Sequence, residues 1–128
     1  MTLMDPFAPM VVELTDDERR LLTAGLTEWL GAARCTDAFA LAMGFEDRAD
    51  LFQQTKRLAA ALRVTQALTP REWTSVLLAT EIVFVSAVVG AGLDWRSTVG
   101  LSDEETIHRL RELQRKMSSA GLLDVKIL

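Results

Sequence analysis

The sequence predicts an all-α fold, and three observations carry that prediction. Capping boxes stand at Thr15-Asp16-Asp17-Glu18, Thr69-Pro70-Arg71-Glu72 and Ser102-Asp103-Glu104-Glu105, each pairing an N-cap hydroxyl with a carboxylate three residues later. Apolar residues then recur at helical spacing, and no alternation of strands and helices supports a parallel sheet. Finally, residues 76–93 read VLLATEIVFVSAVVGAGL, an apolar stretch interrupted by one charge, Glu81. A helix apolar nearly all round is enclosed by others, so this segment is expected to be the centre of a compact bundle of four long helices and one short one.

The N-terminal arm, residues 1–14, is rather apolar, with Leu3, Met4, Phe7, Met10, Val11 and Val12. Its end, Val11 to Leu14, is expected to dock on the core or to pair with Val125 to Leu128 as a small strand ribbon. The first helix, about 16–30, has acidic residues in its first turn, where the dipole favours them, and an inner row of Leu21, Leu22, Leu26, Trp29 and Leu30. Gly31 stands where a left-handed terminating residue is expected.

A short helix over 36–43 is stopped at Gly44. The next, about 47–63, is expected to bury Leu51, Phe52, Thr55, Leu58, Ala59 and Leu62 and to turn Gln53, Gln54, Lys56, Arg57 and Arg63 outward. The central helix, about 70–89, begins with Pro70 at its first position. Ser75, Ala79, Ser86 and Gly90 form a small-residue strip for close helix approach, and Trp73, Leu77, Phe84 and Val88 lie opposite. Gly90, Gly92 and Gly100 then suit a loop around Trp95. A last helix, about 103–118, has Ile107, Leu110, Leu113 and Met117 inside and Gly121 at its stop, followed by a tail over 119–128.

A length of 128 residues, 49% of them apolar, suffices for one core and one domain. The formal charge of −4 gives no general attraction to phosphate or anionic membranes. The central stretch is at the lower limit for a membrane span, and its carboxylate and unmarked flanks argue against one. One cysteine, Cys35, allows neither an internal disulfide nor a thiolate metal site, which suits a reducing compartment. No basic residue precedes Arg19, so a secretory signal is not expected and a cytoplasmic location is.

Nucleophilic catalysis would have to join Cys35 to His108, the single histidine. Cys35 is expected to be a packing residue instead. Glu104, His108 and Glu112 share one helix face at metal-ligand spacing, but beside Arg111 they read as a solvated ion-pair row. Gly90-Ala91-Gly92 lacks the preceding strand and third glycine of a dinucleotide fingerprint. Residues 36–63 have a helix-turn-helix rhythm, yet the second helix leads with Glu46, Asp47 and Asp50 against Arg48, which would repel phosphate.

Glu81, if enclosed, requires a cationic or hydroxyl partner, with Arg19, Arg20, Arg34, Arg57 and Arg63 as candidates. Otherwise it is a carboxylate at the edge of the helix that reaches solvent, or the polar floor of an apolar-ligand pocket. Phe7, Met10, Val12 and Trp95 are the candidate interface residues, Trp95 also being suited to a lid on the core. The function expected from these readings is a non-catalytic cytoplasmic protein that binds another protein or itself as a homodimer. Cofactors, metals and membrane contact are not expected. The alternative is a helix-turn-helix DNA-binding module or a small apolar-ligand binder.

Overall fold

The computed structural model describes residues 8–31 and 33–124. The described residues form six helices: α1 (Asp16–Glu28), α2 (Asp37–Ala42), α3 (Arg48–Arg63), α4 (Pro70–Val85), α5 (Trp95–Val99) and α6 (Asp103–Ser119), with single 3₁₀ turns at Gly92–Asp94 and Leu122–Asp124. The protein is therefore all-α among its described residues, with the four long helices and the short α2 that the sequence predicts. The one-turn α5 falls inside the expected glycine-rich loop.

Local chemistry sets the helix starts. At α1 and α4 both halves of the capping box form, so two orphan amide groups are satisfied at each end. At α6 the Ser102 hydroxyl accepts from the Glu105 amide and donates back to the Glu105 carboxylate, which replaces the reciprocal half of the box. Gly44, Gly100 and Gly121 take left-handed backbone angles after α2, α5 and α6. Gly31 does not, because α1 ends earlier, with Trp29 still right-handed at its C-cap.

The central helix is shorter than the apolar stretch that announces it. Ser86 is extended (φ −84°, ψ 119°), and its Oγ accepts from the backbone N–H of Val88 and of Val89. A serine that offers its own hydroxyl to the backbone competes with helix propagation, and the surrounding β-branched residues do little to resist it. The chain then folds back along α4, where Ala91 N–H donates to the freed Val83 carbonyl at 2.7 Å. A Cβ on Gly90 would lie 2.5 Å from that carbonyl, so the return path requires glycine.

The small-residue strip is used inside the molecule. Helix α1 packs on α3, α4 and α6, and its Gly25 rests directly on Thr80 of α4, where a Cβ would come within 2.5 Å of the Thr80 hydroxyl. Ser75 and Ala79 are buried on the same helix. The Trp29 indole donates to the Ala79 carbonyl at 3.0 Å. All three tryptophans are buried and all three have their N–H satisfied, Trp73 on the Met10 carbonyl and Trp95 on the Thr106 hydroxyl.

Three inner rows shift slightly from the expected ones. Phe52 and Ile107 lie at the surface, while Ala61 and Thr106 are buried on the same helices. Leu30, beyond the end of α1, is exposed as well. Val88 is 78% exposed because the helix that would have carried it inward stops at Val85.

The described part of the arm, residues 8–14, docks on the core. Met10 forms an isolated antiparallel bridge with Leu68, and Val12 joins the buried cluster. The expected partner, residues 125–128, lies outside the described residues.

Candidate functional site

The residues singled out from sequence do not converge. Glu81 is half-buried, and its Oε2 accepts from the Gln114 amide of α6 at 2.5 Å. The partner is neither cation nor hydroxyl, which corrects the expectation. An amide suffices because the carboxylate stays partly in water and its charge is not stranded.

None of the five candidate arginines forms an ion pair with Glu81. Arg19 donates to the Leu62 carbonyl and Arg57 pairs with Glu72. The buried carboxylate is Glu18 instead, 2% exposed, which takes the Lys116 ammonium at 2.5 Å while closing the α1 capping box. Sequence reading places Glu18 only as a cap. Its second role depends on α6 lying alongside α1.

Of the candidate interface residues, Val12 and Trp95 are buried and present no surface. Trp95 is fully enclosed, with its ring edge-on to Phe84 at 5.3 Å between centroids, so the lid arrangement is the one adopted. Met10 is half-buried and held in its bridge, and Phe7 lies outside the described residues.

Cys35 sits before α2 with its Sγ donating to the Thr36 carbonyl at 3.3 Å. Burial raises its thiol pKa, Arg48 opposes that and Asp37 reinforces it, so the net effect disfavours the reactive thiolate. His108 is exposed beside Glu112 at 3.1 Å on α6 and forms no hydrogen bond with Cys35. Among the described residues, no group of three or more His, Cys, Asp and Glu side chains is poised to hold a metal, and no helix is long and apolar enough to cross a membrane.

The helix-turn-helix rhythm does fold as α2, a turn at Gly44 and α3. Its acids are occupied in the turn itself. Asp47 caps α3, Asp50 accepts the Glu46 amide, and Asp37 accepts the Arg48 amide. A recognition helix that leads with these carboxylates gives nothing to a phosphate backbone.

What the fold does assemble is a cleft of about 460 Å³ on the outer face of α1. Arg20, Thr23, Ala24, Thr27 and Glu28 recur at three- and four-residue spacing and so share one side of that helix. Arg63 from the last turn of α3, Val99 of α5, Leu101 beyond it and Arg109 of α6 supply the facing walls, with Asp17 and Arg19 at the start of α1. Four arginines therefore face two carboxylates here, on a protein whose overall charge is −4.

The arginines are held differently. Arg19 caps the α3 carbonyl end through Leu62, a role suited to a cation at a helix C-terminus. Arg109 binds Asp17 through Nη1 at 2.6 Å, while its Nε is buried without a hydrogen-bond partner among the described residues. The Thr23 hydroxyl is buried without one as well. Arg20 and Arg63 are exposed and form no ion pair or hydrogen bond among the described residues.

A cleft with free guanidinium groups and a short apolar lining can hold an anionic side chain, because a guanidinium presents paired N–H donors to a carboxylate or phosphate. The sequence carries no local signal for it. Its four arginines come from three helices and become neighbours only when α1, α3 and α6 pack. The chain matches no family model, no curated protein and no solved structure.

Proposed function

We propose that this chain is a small, non-catalytic, cytoplasmic binding module that docks another protein against the α1 cleft. One observation carries the reading: Arg20 and Arg63, exposed and without partners among the described residues, line the same concavity as Val99 and Leu101 on an otherwise acidic protein. Net negative charge opposes binding of acidic partners in general, so a local cationic cleft selects where and what the protein binds. The absence of a thiolate-favouring setting at Cys35 is compatible with binding rather than catalysis.

The test is a comparison of baits. Wild type and the Arg20→Glu/Arg63→Glu variant are cross-linked in native extract, the captured proteins are identified by mass, and the main one is purified and retitrated. Both positions are exposed, so the fold is expected to survive the change. The reading predicts a purified partner whose affinity falls at least about tenfold with the variant, a loss of about 1.4 kcal/mol. Equal binding by the two baits would contradict it.

Self-association is a second reading, and a different surface favours it. Val85, Val88 and Leu93, in the segment that leaves α4, are 72%, 78% and 93% exposed. Of the features first expected to mediate it, Val12, Ser75 and Ala79 are spent on the core, and the arm before residue 8 lies outside the described residues.

A further inference from the structure

The Asp17–Arg109 pair lies in the cleft and shows a carboxylate already seated on one of its guanidinium groups. Resting on the reading of the cleft as a docking site, we propose that the partner presents a glutamate or aspartate side chain that replaces Asp17 on Arg109, with Asp17 acting as a built-in competitor.

Three features support this assignment. Asp17 is half-exposed at 54%, so it can swing into water at little cost, whereas the Arg109 side chain is held at 23% exposure between α1 and α6. The 2.6 Å contact uses Nη1 of Arg109 alone and leaves the other Nη to complete a paired contact, while the buried Nε is out of an incoming group's reach. A guanidinium satisfied on one nitrogen only is engaged below its capacity, since its planar fork can bind a carboxylate through two parallel N–H groups. The walls also indicate what flanks the acid. Ala24, Val99 and Leu101 suit an aliphatic neighbour, and Arg20 and Arg63 suit further acidic residues. An acidic peptide with interspersed leucines therefore fits this site.

The probe is a labelled, end-capped peptide of alternating glutamate and leucine, read by fluorescence anisotropy against wild type, Asp17→Asn, Asp16→Asn and Arg20→Ala/Arg63→Ala. Asp16 shares the first turn of α1 and the charge of Asp17 but does not line the cleft, so its variant controls for net charge and for the helix dipole. The proposal predicts that Asp17→Asn tightens binding about two- to fivefold, as expected for removing a competitor held in a partly exposed pair. Asp16→Asn should match wild type, and the arginine double variant should bind at least about tenfold more weakly.

The assignment is overturned if Asp17→Asn binds no more tightly than Asp16→Asn, or if a phosphoserine peptide or inorganic phosphate outcompetes the glutamate peptide. Failure of every variant to bind the peptide, while partner capture still depends on Arg20 and Arg63, would also overturn it and leave the docking function standing. Loss of that dependence would instead remove the docking function.

Discussion

Two carboxylates on neighbouring helices show how differently the same group is treated. Glu18 is enclosed, bonded to the Thr15 amide at 2.8 Å and to Lys116, which also reaches the Glu13 carbonyl. Glu81 keeps part of its surface in water and has an amide partner. Removing the cation from a buried pair strands the remaining charge, whereas removing the charge from a half-exposed carboxylate strands nothing. Lys116→Met should therefore lower unfolding stability by about 1–3 kcal/mol, the 35% exposure of the lysine side chain holding it below the cost for a fully enclosed pair. Glu81→Gln should lower it by less than about 1 kcal/mol. Denaturant titrations of both variants, at unchanged slope, check the ranking, and an equal or reversed order would contradict it. Glu81 drew attention in the sequence because it interrupts an apolar run. Glu18 did not, because its enclosure is imposed by α6, nearly a hundred positions away in the chain. Glu72 belongs between the two: burial pushes its carboxyl pKa up, but the Thr69 amide and the Arg57 guanidinium outweigh that and hold it below the ordinary value.

At the scale of elements, helix starts were legible and helix ends less so. Hydroxyl caps and acidic first turns are local chemistry, and all four long helices begin within a residue of where their caps place them. The end of α4 is a competition between a long apolar run and a single serine. Burial of the run predicts a helix to residue 89, and the Ser86 hydroxyl, the return of Ala91 to Val83 and the tight turn at Gly90 end it at Val85. Periodicity also misplaced Phe52 and Ile107, which lie at the edge of their helical stripes and are 36% and 46% exposed. The contact of α1 with α4 yields a direct prediction. Gly25 meets Thr80, itself buried and bonded to the Val76 carbonyl, so neither side can yield easily. Gly25→Val should cost about 1–3 kcal/mol or more by overpacking, and Thr80→Ala in that background should recover part of the loss. Additive losses in the double variant would contradict direct contact.

Across the whole molecule, the class was visible in the sequence and the cleft was not. Capping, periodicity and the enclosed central segment are properties of neighbouring residues, and together they specify a helical bundle. A binding surface made of Arg20, Arg63 and Arg109 exists only because α3 ends and α6 begins against the outer face of α1. The most direct measurement of its role is a backbone and guanidinium nuclear magnetic resonance titration of the ¹⁵N-labelled chain with the glutamate–leucine peptide. Shifts confined to residues 17–28, Arg63, residues 98–101 and the Arg109 side chain are predicted. Shifts centred instead on Val85, Val88 and Leu93, or no shifts at millimolar peptide, would contradict it.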